Sequence, residues 1–170
     1  IAAAPTVSYA LAGPGVTGQF VATIGLSDGS AASVISLGSY AFHAWHHVAM
    51  TWNGSTLHLY VDGVLDSQVT VPPQPIRYEP GTAVGIGRHP WFGTRGFHGL
   101  IDEPTLYSAA LTGQEIASIH AAGQDGKCNP GNTICTPRPA DAVAHWTGNG
   151  RVSDEVGVRP VQLQDGANYG

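Results

Sequence analysis

The residues best suited to contact a ligand lie in "RHPWFGTRG", residues 88–96. Two aromatic side chains stand there among three cationic or titratable ones: Trp91, Phe92, Arg88, His89 and Arg95. Sugar-binding sites use an aromatic ring as a platform, with polar groups beside it that fix orientation. The segment predicts such a platform if Trp91 is exposed. The alternative is that Trp91 folds inward and covers the end of the core, and both remain open.

The eight histidines raise the question of a metal site. His46 and His47 are adjacent, and neighbouring residues of a strand point to opposite faces, so these two cannot share one ion. His43, His47 and His58 could approach one another across strands. A histidine hydrogen-bonded on a sheet surface is nevertheless the commoner outcome, and we predict no zinc site.

Cys128 and Cys135 are the only cysteines, and they bracket "NPGNTI" in a Pro/Gly-rich stretch. A metal or redox pair is weakly supported, because the spacing is unusual for such sites and no histidine is near. We predict instead a local disulfide that stiffens an exposed loop. Such a bond needs an oxidising compartment, which indicates an extracellular or periplasmic location.

Composition limits the classes of partner. Charged residues make up 11% of the 170 residues, the net charge is -5, and Lys127 is the single lysine. A protein that binds the phosphate backbone needs a basic surface, so a nucleic-acid partner is not expected. No apolar run reaches the length of a membrane span, so membrane insertion is not expected either.

The elements that position these residues are predicted to be short strands, since the sequence contains 23 Gly and 12 Pro and alternates apolar and polar residues. Turns are predicted at Asp28-Gly29-Ser30, Asn53-Gly54 and Asp62-Gly63. Two alternating runs place their apolar residues on single faces: Phe20, Ala22 and Ile24, then Leu57, Leu59 and Val61. Further strands are predicted in "WHHVAMTW", with Trp45 in the core, and in "TAVGIGRH" and "GFHGLIDEPTLY".

One helix is predicted in "LTGQEIASIHAAG", residues 111–123. Thr112 is a suitable N-cap, and Glu115 three residues later completes a capping box. Leu111, Ile116 and Ile119 give the segment an apolar side.

These motifs resemble a laminin-G-like (pentraxin-type) domain of the concanavalin A-like lectin/glucanase superfamily, in its bacterial tandem-repeat form. The resemblance is carried by "WHHVAMTWNGSTLHLYVDG" and by "GLIDE" followed by "LTGQEI". It implies an all-β fold, a two-sheet antiparallel jelly-roll sandwich with one short C-terminal helix.

The resemblance also suggests how the chain is divided. Residues 1–123 correspond to a jelly roll that lacks its first strands, and residues 124–140 form a linker with the cysteine pair. Residues 141–170 resemble the opening strands of such a domain. These strands could begin the next repeat, close this domain in cis, or complete a neighbouring molecule. We favour a fragment of a longer multidomain chain.

A structural calcium ion is implied by the resemblance. Asp102 in "GLIDE" stands where the family often places one ligand, and Asp154 in "RVSDEVG" resembles an aspartate that supplies another. Hard cations prefer such oxygen ligands. The alternative is that Asp102 caps a strand end and Asp154 belongs to a turn.

Catalysis is not expected. Glucanases of this superfamily carry their acids as Glu-x-Asp-x-x-Glu on one strand, and the four glutamates here are scattered singly. We therefore predict a non-catalytic, secreted or surface-exposed module that binds a glycan or an extracellular protein within a larger multidomain protein. The alternative is a structural building block of a fibre or surface layer, in which neighbouring copies complete one another by strand complementation.

Overall fold

The structure, a computed structural model, describes residues 7–78, 84–87, 96–127, 136–147 and 154–156. The chain forms two compact units. The first unit comprises Ile1–Thr82 and Ala110–Ala121. The second unit comprises Ala83–Ala109 and Ala122–Gly170.

The described part of the first unit forms two antiparallel sheets of three strands each. The middle strand of the first sheet is β2, and the middle strand of the second is β5. The first sheet consists of β1 (Tyr9–Ala12), β2 (Val21–Gly25) and β3 (Ala31–Ile35). The second consists of β4 (Val48–Trp52), β5 (Thr56–Val61) and β6 (Val64–Thr70).

The three predicted turns join strands where expected. Asp62 and Gly63 connect β5 to β6 with φ angles of 50° and 78°, as a two-residue hairpin turn with two left-handed residues requires. Asn53 connects β4 to β5, and its side-chain oxygen accepts hydrogen bonds from the backbone N–H groups of Ser55 and Thr56. These turns are local, so the sequence specifies them directly.

The core of the first unit lies between its two sheets. Ala22 and Ile24 of β2 are buried, and Leu57 and Leu59 of β5 are completely buried. They belong to one apolar cluster with Phe20, Leu26, Ala32, Val34 and Val61. Because both sheets contribute to this cluster, they pack face to face as a sandwich. The predicted fold class and the two predicted apolar faces are confirmed.

The predicted helix is α1 (Gly113–Ala121), and its capping box is present. The Glu115 backbone N–H donates to Thr112 Oγ1 at 3.2 Å, and the Thr112 N–H donates to Glu115 Oε2 at 2.7 Å. The bonds that the Thr112 backbone N–H and hydroxyl donate to this carboxylate hold the pKa of Glu115 below its usual value. Leu111 and Ile116 are buried, so the helix covers apolar surface of the first unit.

The described part of the second unit contains β7 (Thr105–Tyr107) and β8 (Ala142–His145), paired antiparallel. A short 3-10 turn spans Gly123–Asp125. The buried residues in the described part of the second unit are polar except for one: Lys127, His145, Thr147 and Asp154, with Ala144. Burial lowers the pKa of His145, and the charge of Lys127 lowers it further.

One predicted strand is shorter than expected, and another is absent from the part of it that the structure describes. β7 begins only at Thr105, because Glu103 has a φ of 48° and Pro104 has no N–H to donate to a ladder. The stretch "TAVGIGRH" is described only at residues 84–87, which form no strand.

Trp45 is not a core residue, since 66% of it is exposed. The predicted strand "WHHVAMTW" begins only at Val48, and the residues before it belong to a loop. The prediction that placed Trp45 in the core was therefore wrong.

Candidate binding loop

Two exposed aromatic residues of the first unit lie close together in residues 41–45, named here the aromatic loop. It lies within the connection from β3 to β4, and all five of its residues are exposed. Phe42 is 54% exposed and Trp45 is 66% exposed. Side chains of this size are normally buried, so an exposed pair on one short loop indicates a surface for contact with a partner.

One end of the aromatic loop is held by Tyr40. Its hydroxyl donates to Asp66 Oδ2 at 2.5 Å, and the same carboxylate accepts the Leu37 backbone N–H through Oδ1 at 2.6 Å. Partial burial and the hydrogen bond to Asp66 raise the pKa of Tyr40 to about 12. The tyrosine therefore stays protonated and keeps donating throughout the physiological range.

Asp66 is ionised under the same conditions. Burial pushes the pKa of Asp66 upward, but the hydrogen bonds from Tyr40, Leu37 and Gly38 together hold it below its usual value. An ionised carboxylate is a strong acceptor, and bonds to it are shorter and stronger than neutral ones. Asp66 of β6 thus ties the segment before the aromatic loop to the second sheet.

The other end of the aromatic loop is held by His46. Its Nδ1 lies 2.9 Å from Asp62 Oδ2, and its Nε2 lies 3.2 Å from the Ala41 carbonyl oxygen. Asp62 also accepts the His47 backbone N–H at 3.0 Å. Carboxylate and carbonyl oxygens are acceptors only, so a neutral imidazole, which has one N–H, donates to one of them at a time. Through Nδ1 the ring ties the residue after the loop to the β5–β6 turn.

The rings at the base of the loop pack against the core. The Tyr40 ring centroid lies 5.5 Å from that of Phe20 and 5.4 Å from that of His46. Phe20 is buried in the apolar cluster between the sheets. The first contact is tilted and the second is edge-to-face, and contacts of this kind add to the stabilisation by burial. The base is therefore continuous with the rigid part of the sandwich, while the tip is exposed.

The segment that carries the loop is uncharged apart from its histidines. Residues 36–47, "SLGSYAFHAWHH", contain no Lys, Arg, Asp or Glu. His43 lies between the two exposed aromatic residues and has a left-handed φ of 62°. Aromatic faces with a nearby ring nitrogen suit a neutral ligand that has C–H faces and hydroxyl or amide groups.

Sequence reasoning did not select this loop. Only its last residue, Trp45, was assigned to an element, as the first residue of the strand predicted in "WHHVAMTW". A signal against a strand was available, because no β-branched residue occurs between Ile35 and Val48. Nothing in the sequence indicates that Asp66 or Asp62 holds the loop.

The residues predicted from the sequence as ligand contacts lie outside the described residues, as do both cysteines: Arg88, His89, Trp91, Phe92, Arg95, Cys128 and Cys135. The residues beside the cysteines are described. Lys127 and Thr136 form a β-bridge, and the Thr136 N–H donates to the Gly126 carbonyl at 3.1 Å.

The two predicted calcium ligands have different environments. Asp102 is exposed, and its Oδ1 accepts the Glu103 backbone N–H at 3.0 Å. Asp154 is buried, and its Oδ1 accepts the backbone N–H groups of His145 and Val156. The described residues contain no group of three or more His, Cys, Asp or Glu side chains suited to a metal ion. Both carboxylates thus accept hydrogen bonds from the backbone.

Comparison with known proteins identifies the family. Residues 6–117 match the Laminin_G_3 model, which describes the concanavalin A-like lectin/glucanases superfamily. The chain belongs to this family, and the resemblance seen in the sequence is confirmed.

A solved structure also resembles the chain: the 2.1 Å crystal structure of residues 221–444 of an S-layer domain-containing protein from Clostridium thermocellum ATCC 27405. The two sequences are 23% identical, and the TM-score is 0.43. The match covers 61% of this chain and 52% of the solved chain, so the present chain corresponds to about half of that structure. No curated protein shows significant sequence similarity to the chain. Within the described residues, no helix has the length and apolar character that a membrane span requires.

Proposed function

We propose that this protein is a non-catalytic recognition module, secreted or displayed at a cell surface as part of a larger protein. It binds a neutral glycan, or an uncharged surface of an extracellular protein, through the aromatic loop. The observation that carries the proposal is the exposure of Phe42 and Trp45 on a loop whose two ends are hydrogen-bonded to Asp66 and Asp62.

The fixed base favours binding because it lowers the entropic cost of association. A flexible loop loses conformational freedom when a ligand orders it, and this loss reduces the affinity. Here Tyr40 and His46 hold the loop ends before any ligand arrives. The aromatic rings are then presented with little further ordering of the backbone.

The charge of the chain supports a neutral ligand over an anionic one. The net charge is -5, and the carboxylate of Asp62 near the loop is 39% exposed. An acidic polysaccharide or a nucleic acid would be repelled from such a surface at moderate ionic strength. A neutral sugar ring experiences no such repulsion and can stack on an indole.

The polar groups around the loop support binding over catalysis. Asp66 has a lowered pKa and Tyr40 a raised one, which is the opposite of what a general acid and a nucleophile need. The string Gly25-Leu26-Ser27-Asp28-Gly29 matches the Gly-x-Ser-x-Gly pattern of hydrolases. It lies in the β2–β3 hairpin instead of a strand-to-helix turn, so it is not a nucleophile elbow.

Two features of the second unit belong to the same proposal. The bridge between Lys127 and Thr136 brings together the residues that flank Cys128 and Cys135, which supports a disulfide between them and an oxidising location. We also propose that a structural calcium ion binds to Asp102 and Asp154. Neither ligand takes part in the aromatic loop.

The experiment that tests the function compares Trp45→Ala and Phe42→Ala with the parent chain. Electrophoretic retardation in gels that contain neutral polysaccharides, such as xylan, mannan and β-glucan, measures binding without assuming one sugar. We expect at least one polysaccharide to retard the parent chain. Each variant should lose about tenfold or more in affinity, because each removes one stacking platform.

The matched control is Tyr78→Ala, which removes another exposed aromatic residue of the first unit that is not part of the loop. This variant should bind as the parent does. If no neutral glycan binds, an array of extracellular proteins tests the protein-partner branch with the same three variants. Equal binding by Trp45→Ala and the parent on both surfaces would contradict the proposal.

A further inference from the structure

The strand that pairs with β7 comes from outside the family domain. β7 lies within the matched residues 6–117, whereas β8 lies at Ala142–His145, well beyond them. The register pairs Thr105 with His145 and Leu106 with Ala144. A segment that follows the domain in the sequence therefore completes a ladder that begins within the domain.

Side chains fix the register of this pairing. Thr105 Oγ1 lies 2.7 Å from His145 Nδ1 and donates its own hydrogen to the Glu103 carbonyl at 3.1 Å. A hydroxyl has one hydrogen, so the imidazole must donate through Nδ1. His145 is completely buried, and a shift of one residue would move it to the opposite face and leave Thr105 without its donor.

Lys127 strengthens the same region. Its ammonium lies 3.0 Å from Glu103 Oε2, and its backbone N–H donates to the same carboxylate oxygen. The lysine side chain is 6% exposed, so this ion pair lies in a largely desolvated environment. Partly buried pairs of this kind depend on good geometry, and they favour one arrangement of the chain over others.

The segment that contains β8 also covers its own outer edge. The His145 N–H donates to Asp154 Oδ1 at 3.0 Å, and the His145 carbonyl accepts the Glu155 N–H at 2.8 Å. The edge that faces away from β7 is thus satisfied by residues of the same segment. The other edge of β8 pairs with β7. Two further bonds extend this contact, from the Trp146 N–H to the Pro104 carbonyl and from the Ser108 N–H to the Asp141 carbonyl.

The connection between the two strands is long. It runs through residues 108–141 and includes α1, which belongs to the first unit. A two-residue hairpin would hold β8 on its own β7, but a connection of this length gives an effective concentration of only about a millimolar. Neither strand contains Lys, Arg, Asp, Glu or Pro, the residues that protect sheet edges from other chains.

We propose that β8, with the segment around it, is an exchangeable donor strand that pairs with β7 of a second copy of this chain as well as with its own. The bonds that fix the register involve residues 103–108, Lys127, β8 and Asp154. All of them can form between two copies, because exchange of an identical element preserves every contact. The partner is therefore a second copy of this chain. When each copy donates its β8 to the next, the copies are joined through their second units.

Two complementary variants of the full chain test this proposal. Leu106→Pro blocks the acceptor strand β7 and leaves β8 intact, whereas Ala144→Pro blocks β8 and leaves β7 intact, because proline removes a ladder donor. Each variant alone should remain a monomer of 17.6 kDa. An equimolar mixture should form a 1:1 species with twice that mass in native mass spectrometry, because one intact acceptor meets one intact donor.

The matched control mixes Leu106→Pro with the Leu106→Pro/Ala144→Pro double variant, which together offer no intact acceptor. This mixture should stay monomeric. Folded variants, judged by near-ultraviolet circular dichroism, that form no 1:1 species would overturn the proposal. If a variant does not fold, unlabelled and ¹⁵N-labelled parent chains are co-incubated at roughly millimolar concentration. Dimers of mixed mass support strand exchange, and the absence of mixed-mass dimers overturns it.

Discussion

The two units are held together by different chemistry, as their buried residues show. In the first unit they are almost all apolar, and Leu57, Leu59 and Ile24 fill the space between two sheets. Those described in the second unit are polar except for Ala144. Apolar burial is strong and non-directional, whereas buried polar groups stabilise only when each finds its partner in the correct geometry.

This difference explains why the two units suit different tasks. The first unit can hold an exposed aromatic loop because a conventional core supports the loop base through Phe20 and Tyr40. The second unit has a sheet of only two described strands, and such ribbons are marginally stable by themselves. A marginal ribbon with a specific register is suited to reversible pairing.

The largest effect is expected in the core of the first unit. Leu59→Ala removes a completely buried side chain and should lower the free energy of unfolding by about 2–5 kcal/mol. Urea unfolding followed by circular dichroism measures this change. Leu65→Ala is the control, because Leu65 is exposed and should cost less than about 0.5 kcal/mol. Similar losses in both variants would show that the sandwich core does not dominate the stability.

A smaller and local effect is expected from Thr105→Val. Valine keeps the shape of threonine but leaves the buried His145 Nδ1 without its acceptor, which should cost about 1–3 kcal/mol. The loss should appear as faster hydrogen exchange in residues 142–146, with the strands of the first unit unchanged. Thr56→Val removes an exposed hydroxyl pair with Thr70 and should leave exchange in both units as it was. Equal acceleration in both units by Thr105→Val would argue against separate stabilisation.

The base of the aromatic loop should respond to alkaline pH. The folded pKa of Tyr40 is raised to about 12 from 10.0, so its contribution to stability is complete below pH 10 and is lost as the pH rises towards 12. Asp66→Asn removes the neighbouring charge and should move the pKa of Tyr40 back towards the usual value. Ultraviolet absorbance of tyrosinate follows the titration. An unchanged titration in Asp66→Asn would show that this carboxylate does not hold the loop base.

The smallest effect is expected from calcium. If Asp102 and Asp154 bind an ion, excess calcium should raise the free energy of unfolding by RT ln(1 + [L]/Kd). The melting temperature of the parent chain should rise accordingly. Asp102→Asn should abolish this increment and leave the melting temperature in chelator unchanged. Asp154→Asn should also lower stability in chelator, because its carboxylate accepts two backbone N–H groups. Identical melting temperatures in calcium and in chelator would show that these residues bind no stabilising calcium ion.

The sequence predicted features that depend on neighbouring residues. The hairpin turns at Asp62 and Asn53 and the capping box of Thr112 and Glu115 are fixed within a few positions, and alternation along β2 and β5 specified the core. The aromatic loop was missed because its anchors are distant. Asp66 lies 26 positions from Tyr40, and no local pattern pairs them. The β7–β8 register is a similar case, since Thr105 meets His145 across 40 positions.

The most direct test of the two-unit account is hydrogen exchange of the parent full chain, followed residue by residue. The account predicts that amides of β2 and β5 are protected at least about a hundredfold more than those of Ala144 and Trp146, which corresponds to roughly 2.7 kcal/mol. Such a gap would show that the second unit opens while the apolar sandwich stays folded. Equal protection of both sets would contradict the account, because a single cooperative unit would then hold β8 as firmly as the core.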